Sequence, residues 1–414
     1  MSLSPTSRSG SILRSRAYAA PLYLLLLGLA TFAMTEFGFR VYLAMQIGPR
    51  LLLYGTPWHR NDMQATLDGE AVATHRNDRG HYTKYFPHER KTLRDELTDE
   101  LYEVRINNHG FRGKDFSLEK PPGTIRVITL GASSTFGYSN PDPHTYPRLL
   151  ETMLNRNTQG RARFEVINFG IPHATTDEIV ALFLAEGVDL EPDFVTLYAG
   201  ANDSGYMYLA HSSGGVWDED RPQLLATPEM LQHRFVVSEF LAHLLRQLRR
   251  ASDTYSGEGI ALEASRTFLG NAARLRVECA KREIHFIVAN QQAKSFWVDL
   301  ERRRGLRYRE EEALLRRALD IEKREATPAA NIFLIHAHVM RDLEKWVSEQ
   351  EVDFVDVIEA LDRHRHLLVS WVHLHPEGNR RVAEALGKRV LERAFLPKPL
   401  EEASLPRTGD VEML

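Results

Sequence analysis

Several short polar segments carry side chains that together could perform acyl transfer. The segment "LGASSTFG" places the hydroxyls of Ser133, Ser134 and Thr135 directly after an apolar run, where one of them could act as a nucleophile. Downstream, "GAND" supplies the carboxamide of Asn202, and "SWVHLHPEG" supplies the imidazole of His373. A hydroxyl, a base that takes its proton and a donor for the developing oxyanion are the groups that attack on an ester carbonyl requires.

Each of these side chains also has an ordinary structural interpretation. A serine after a strand often caps the next helix, where its hydroxyl accepts a hydrogen bond from an amide without a helical partner. One arrangement satisfies both interpretations, with Ser134 and Thr135 capping the helix and Ser133 left to attack. Asn202 and Asp203 could likewise form a turn at the end of a strand.

The elements that must position these groups are visible from Ile125 onward, where β-branched runs alternate with amphipathic helical patterns. The runs that read as strands are "IRVITL", "RFEVINFG", "PDFVTLYAG", "EIHFIVAN" and "VDFVDVI". The alternation predicts an α/β fold, a doubly wound and mostly parallel sheet with helices on both faces. Because such sheets collect their ligands at the carboxyl ends of the strands, the polar segments should meet there.

In order and spacing, these segments resemble the SGNH or GDSL hydrolase family, specifically a membrane-anchored, bacterial-type member. The resemblance covers roughly residues 125–393. It implies a flavodoxin-like three-layer sandwich fold and an enzyme that hydrolyses esters without a metal or organic cofactor. It implies Ser133 as the nucleophile, His373 as the general base and Asn202 as an oxyanion donor. In the second block, "NFGIPH", it puts His173 at the oxyanion glycine position, with Gly170 as the fallback donor.

Three positions depart from the family pattern. Ala132 stands where the family has aspartate, and His173 stands where it has glycine, although histidine tolerates a positive φ better than most residues. Ser370 stands where the family has the aspartate that orients the imidazole, and its hydroxyl or carbonyl could still accept from the ring. In a serine protease, loss of that carboxylate lowers turnover by about ten thousand-fold.

The late segment "HRHLLVSWVHLH" also permits a metal site. Its histidines form two His-x-His pairs, whose side chains point the same way in an extended chain; they are His364, His366, His373 and His375. Imidazole suits zinc, copper or nickel. Since no H-E-x-x-H motif or cysteine pair accompanies them, we expect no metal at this position.

The amino terminus reads as a membrane anchor. Residues Ala17 to Thr35 contain no charge, a length close to the ~20 residues that span a bilayer core. Arginines precede this stretch, and no acidic residue appears before Glu36, which predicts residues 1–16 in the cytoplasm and the catalytic domain outside, periplasmic in a bacterium. A cleaved signal peptide and a buried core helix are the alternatives.

The remaining segments complete the expected organisation. Residues 36–120 read as a juxtamembrane and entry region that is strand-poor from about Arg60 to Leu118, and residues 121–396 as the hydrolase domain with an insertion at about 206–257. The charge-dense stretch 301–325 is typical of a solvated helix, and residues 397–414 read as a flexible tail. The formal net charge of only −4, with both signs spread along the chain, excludes the basic surface of a nucleic-acid binder.

Together these features favour a membrane-tethered, extracytoplasmic serine esterase. Its partners would be an acylated glycan or lipid substrate and the membrane. Two other functions remain open on the same fold. One is an O-acyltransferase that acts on an exported polysaccharide, and the other is a non-catalytic glycan-binding or assembly protein, to which the departures at Ala132, His173 and Ser370 point.

Overall fold

The computed structural model describes residues 23–38, 41, 72–77, 80–95, 98, 100–212, 257–295, 305–320 and 327–395. The predicted cytoplasmic segment, most of the predicted insertion and the tail lie outside these residues. The chain divides into two compact units, one formed by residues 1–70 and 213–253 and the other by residues 71–212 and 254–414.

The second unit is built on a parallel sheet. Within the described residues the strands are β1 (Val72–Asn77), β2 (Gly80–Tyr85), β3 (Arg90–Arg94), β4 (Leu101–Arg105), β5 (Thr124–Gly131), β6 (Arg163–Gly170), β7 (Phe194–Tyr198), β8 (His285–Ala289) and β9 (Asp353–Val355). Strands β6-β5-β7-β8-β9 lie side by side in this order and run parallel. This is the strand order of flavodoxin-like folds, so the predicted α/β sheet is confirmed.

Helices cover both faces of this sheet. Within the second unit the described helices are α2 (Ser133–Phe136), α3 (Tyr146–Thr158), α4 (Thr176–Leu182), α5 (Ala201–Ser212), α6 (Gly257–Ala280), α7 (Tyr308–Asp320), α8 (Pro328–Glu349), α9 (Val357–Asp362) and α10 (Pro376–Phe395); α1 (23–38) belongs to the first unit. Helices α4, α6 and α8 share one core with Ile128, and α3 and α10 share the other with Val127. Alternate side chains of β5 therefore bury into opposite layers, as a pleated strand requires.

The register of the sheet brings the polar segments to one edge. Gly131 at the end of β5 pairs with Gly170 at the end of β6 and with Tyr198 at the end of β7. The chain leaves all three strands at the same level, so the segments that follow them converge. The expectation drawn from the strand pattern is confirmed.

The prediction of a strand-poor entry region is wrong. Residues 72–105 form two antiparallel hairpins, β1 with β2 and β3 with β4. The following turn packs on the sheet through Phe111, whose ring stacks on Phe169 with centroids 4.1 Å apart. Lys84 and Tyr82 both hydrogen-bond Glu186, which follows α4. Cross-strand pairing and the contacts with Phe169 and Glu186 stabilise these strands. Their polar composition gives no strand pattern in the sequence.

The charge-dense stretch is only partly solvated, which corrects the prediction for residues 301–325. Helix α7 buries Glu311 completely, and its carboxylate pairs with the equally buried guanidinium of Arg365. The same carboxylate accepts from the Ser295 hydroxyl and backbone amide. A buried charge needs such partners, and this ion pair fixes the start of the histidine segment at Arg365.

Within the first unit, α1 exposes apolar side chains almost throughout. Leu24 is 66% exposed, Met34 77% and Phe37 66%. The described part of the chain contains no helix that is both long and apolar enough to span a bilayer. The predicted membrane segment starts at Ala17, so its first turns lie outside the described residues.

Candidate active site

The serine and histidine predicted from the sequence meet at the carboxyl edge of the sheet. Ser133 Oγ lies 2.8 Å from His373 Nε2, although the two residues are 240 positions apart in the chain. For Nε2 to accept from the hydroxyl, the imidazole must carry its proton on Nδ1. The pair therefore has the geometry of a nucleophile beside its general base.

The glycines around the serine allow this approach. Ser133 begins the single turn of α2 directly after β5, with Ala132 at the N-cap position. A Cβ on Gly170 would lie 2.1 Å from the backbone nitrogen of Phe136, so only glycine lets β6 pass beneath this turn. The backbone N–H groups at the start of α2 lack intrahelical acceptors, which makes the Ser133 amide a candidate oxyanion donor.

The prediction that Ser134 and Thr135 cap this helix is wrong, because α2 has no side-chain cap. Ser134 donates instead to the carbonyl of Val372 at 3.2 Å, and Thr135 Oγ1 lies 3.1 Å from the Tyr146 hydroxyl. Both side chains point into the protein and join α2 to neighbouring segments. The hydroxyls of Ser134 and Thr135 therefore have structural partners and do not compete with Ser133 as nucleophiles.

Ser370 contacts His373 in a different way from a family aspartate. Its hydroxyl accepts from the backbone N–H of His373 at 3.1 Å, and Val369 N–H donates to the His373 carbonyl at 2.8 Å. These bonds close a tight turn that holds the backbone of the histidine. Ser370 thus shapes the loop, and its described hydrogen bond goes to the main chain.

Three residues that no sequence pattern singles out support the serine and histidine loops. The Tyr138 ring stacks on the His373 imidazole, with centroids 5.4 Å apart and planes 15° from parallel. The Asn140 amide donates to the carbonyls of Tyr138 and Leu374, each at 2.7 Å. Arg112, only 2% exposed, donates to the carbonyls of Phe136, Gly137 and Asn140 and to Asp142. These polar residues lie in turns, where a single sequence carries no signal of their partners.

Of the two oxyanion donors predicted in the segment "NFGIPH", His173 and Gly170, only His173 fits the structure. His173 adopts φ 66°, the left-handed conformation that a family glycine would take, and its Nδ1 lies 3.1 Å from the Tyr206 hydroxyl. Gly170 does not fit the fallback role, because its N–H donates to Asn168 Oδ1 at 2.9 Å. The backbone of His173 therefore remains the candidate donor from this block.

Asn202 lies at the start of α5 with its amide oriented by the second block. Its Nδ2 donates to the Ala174 carbonyl at 3.0 Å. An amide nitrogen carries two hydrogens, so this bond fixes the group and leaves the other hydrogen for an oxyanion. The neighbouring Asp203 accepts from the backbone and hydroxyl of Thr176 at 3.0 and 2.5 Å, which joins α5 to α4.

Asp203 also makes the stability of this region depend on pH. Burial raises the pKa of its carboxyl to about 6, although the hydrogen bonds from Thr176 lower it, and Oδ2 has no partner among the described residues. The folded state thus binds this proton more tightly than the unfolded chain. The resulting stabilisation is complete below about pH 4 and is lost as the pH rises through about 6.

We expect Asp203→Asn to reduce this pH dependence. Asparagine keeps the Oδ1 acceptor for Thr176 but cannot ionise. Urea unfolding at pH 4 and pH 8 should show a smaller loss of unfolding free energy in the variant, by about 1–3 kcal/mol. The same loss in both proteins would contradict a buried, titrating carboxyl at this position.

The four histidines do not form a metal site in the described chain. His373 faces Ser133, and the Nδ1 of the exposed His375 lies 3.4 Å from the Glu377 amide. The rings of His364 and His366 lie 6.1 Å from each other. No cluster of three or more histidine, cysteine or acidic side chains that could hold a metal occurs among the described residues.

Comparison of the sequence with known protein families agrees with an esterase-like site. Residues 129–281 match the family model of the GDSL-like Lipase/Acylhydrolase family. The chain carries a GDSL-like acylhydrolase domain. Ser133, His173 and Asn202 fall inside the matched part, and His373 falls beyond it. The family and the Ser133–His373 pair make the protein a carboxylic ester hydrolase.

Several solved structures are similar to part of this chain. A GDSL-like lipase from Bacteroides thetaiotaomicron is 12% identical, covers 65% of this chain and 89% of its own, and has a TM-score of 0.35. The acetyl xylan esterase AlAXEase is 16% identical over 64% and 100%, with a TM-score of 0.36. A lipase/acylhydrolase from Enterococcus faecalis is 15% identical over 65% and 96%, with a TM-score of 0.33. No curated protein matches the chain.

Proposed function

We propose that this protein is a membrane-tethered, extracytoplasmic serine esterase that removes acyl groups from esterified glycans or lipids. The observation that carries the catalytic part is the 2.8 Å hydrogen bond between Ser133 Oγ and His373 Nε2. The GDSL-like family match supports an ester as the substrate. A tether at the amino terminus would suit a substrate that is assembled at a membrane surface.

The reaction would proceed by two displacements. Ser133 Oγ attacks the ester carbonyl while His373 Nε2 takes its proton, and the carbonyl oxygen becomes negative. The amide of Asn202, with the backbone N–H groups of Ser133 and His173, would stabilise that charge. When the carbon–oxygen bond to the alcohol breaks, His373 returns the proton to the leaving oxygen. Water then attacks the acyl-serine by the same route and releases the acid.

The tether rests on the chemistry of residues 17–35. Within the described part, apolar side chains cover the outside of α1, and its two threonine hydroxyls donate to carbonyls one turn earlier, Thr31 to Leu27 and Thr35 to Thr31. Polar groups satisfied inside a helix are what a hydrocarbon environment demands. The arginines before Ala17 favour a cytoplasmic amino terminus, with the catalytic domain, residues 121–396, on the other side.

One labelling experiment tests both parts of this proposal. The full chain is expressed in bacteria, and membranes washed with alkaline carbonate are treated with a fluorescent fluorophosphonate. We expect a labelled band in the membrane pellet, the adduct mapped by peptide mass spectrometry to Ser133, and cleavage of the domain by protease added outside spheroplasts. A chain that begins at Glu36 should label equally but leave the pellet.

The outcomes separate the two parts. An unlabelled, folded protein, or an adduct on another residue, would contradict the esterase and favour a glycan-binding protein. A Ser133 adduct found only in the supernatant would contradict the tether and leave the esterase intact.

A further inference from the structure

The end of strand β8 contributes a buried side chain to the active-site loops. Gln291, in the segment "NQQAKS", is only 2% exposed and follows β8 by two residues. The family resemblance assigns no function to this strand end. The side chain nevertheless hydrogen-bonds the loops of both neighbouring catalytic segments.

The bonds run from the asparagine loop to the serine loop. Gln291 Oε1 accepts from the backbone N–H of Ala201 at 2.9 Å, directly before Asn202. Its Nε2 donates to Ser134 Oγ at 3.2 Å, directly after Ser133. One carboxamide therefore spans the two segments that would supply the nucleophile and the oxyanion donor.

Ser134 extends this chain of hydrogen bonds to the histidine loop. Its hydroxyl donates to the carbonyl of Val372 at 3.2 Å, directly before His373. The donors and acceptors along this chain of hydrogen bonds can be arranged in only one way, because the Ala201 N–H can only donate and the Val372 carbonyl can only accept. The amide must present oxygen to Ala201 and nitrogen to Ser134, which leaves the Ser134 hydrogen for Val372.

The backbone of Gln291 is itself held in place. Its N–H donates to the sulfur of Met340 on α8 at 3.1 Å. The Met340 methyl also packs against Gly200, where an added Cβ would lie 2.6 Å from it. Buried and fixed at both ends, the Gln291 side chain cannot turn aside without leaving donors or acceptors unpaired, which is costly in the protein interior.

We propose that Gln291 is a positioning residue that sets the relative placement of Ser133, Asn202 and His373 through Ala201, Ser134 and Val372. This inference rests on the proposed esterase function. Gln291 itself touches no reacting atom. Displacement of catalytic groups by about 1 Å can lower a rate a hundred-fold, so a link of this kind should act on turnover more than on substrate affinity.

The test compares Gln291→Met, which keeps the length of the side chain and loses both hydrogen bonds, with Ser134→Ala and the double variant. For hydrolysis of an aryl acetate we expect Gln291→Met to lower kcat by about ten- to a hundred-fold with KM within about two-fold. Because both substitutions break one chain of bonds, the double variant should be no slower than the slower single variant.

Asn290→Leu is the matched control. Asn290 is an equally buried amide in the same segment, but it bonds Glu344, Asp356 and the Ile358 amide, away from the catalytic loops. It should lower the melting temperature and leave kcat within about three-fold. A parallel loss of kcat and melting temperature in Asn290→Leu and Gln291→Met would overturn the proposal.

Gln291→Glu gives a second readout if the methionine variant fails to fold. Glutamate still accepts from Ala201, but its ionised form cannot donate to Ser134, whose hydroxyl would turn from Val372 to the carboxylate. Protonation restores the donor, so the ratio of variant to wild-type kcat should rise as the pH is lowered. A ratio that does not change with pH would overturn the proposal.

The two proposals fail separately. A wild-type protein without a fluorophosphonate adduct on Ser133 contradicts the esterase and the positioning function together. A normal wild-type adduct, with kcat of the Gln291→Met and Gln291→Glu variants within about three-fold of wild type, overturns only the positioning function.

Discussion

Replacing His373 with glutamine is expected to lower kcat for an aryl acetate at least about a hundred-fold. Glutamine keeps a polar side chain near Ser133 but cannot take the serine proton at neutral pH. In a protease with a full triad the loss of histidine costs far more. The loss should be smaller here because Ser370 replaces the family aspartate and hydrogen-bonds the main chain of the loop.

His375→Gln provides the matched control. This histidine lies two residues further along the same loop and is exposed, and its Nδ1 contacts only the Glu377 amide at 3.4 Å among the described bonds. Its substitution should leave kcat within about two-fold. Equal losses in the two variants would contradict a single general base and would revive the metal interpretation of the histidine segment.

Asn202→Ala is expected to lower kcat about a hundred- to a thousand-fold, the typical effect of removing one oxyanion donor. The bond from Nδ2 to the Ala174 carbonyl fixes the amide before substrate arrives, so no reorganisation is needed as charge develops. KM should change little, because the interaction strengthens only in the transition state. Steady-state kinetics with an aryl acetate separate the two parameters.

The control for this variant is Asn155→Ala. Asn155 also orients its amide by main-chain bonds, to both the N–H and the carbonyl of Phe164, but at the amino end of the sheet. It should lower stability and spare kcat. A loss of kcat in Asn155→Ala as large as in Asn202→Ala would show that general destabilisation, and not oxyanion binding, explains the effect.

The strands were predictable because they depend on local patterns, and the candidate site residues because the polar segments resemble a known family. The β-branched runs that became β5, β6 and β7 each end in a polar segment, and parallel strands bring their ends to one edge. The convergence of the segments that carry Ser133 and Asn202 could therefore be predicted without coordinates, whereas His373 was named from the resemblance. The tolerance of His173 for a positive φ was also predictable, and the structure places this φ at 66°.

Other predictions failed because their outcome depends on contacts between distant segments. Helix α2 lacks a side-chain cap because its N-cap residue is Ala132; Ser134 and Thr135 lie inside the helix and contact Val372 and Tyr146, partners that local sequence does not reveal. The entry region appeared strand-poor because hairpin pairing, not composition, stabilises its strands. Glu311 appeared to face solvent because its buried partner, Arg365, lies 54 residues away.

The sequence by itself determined which chemistry is possible, since the hydroxyl and the carboxamide can be recognised by type and by their position after strands, and the imidazole by type and by its late place in the family order. Only the tertiary structure decided how these groups are aimed. Tyr138, Asn140, Arg112 and Gln291 orient the loops through hydrogen bonds and ring contacts that join chain segments far apart in sequence. Such bonds exist only after the sheet has brought the segments together, so no local pattern encodes them.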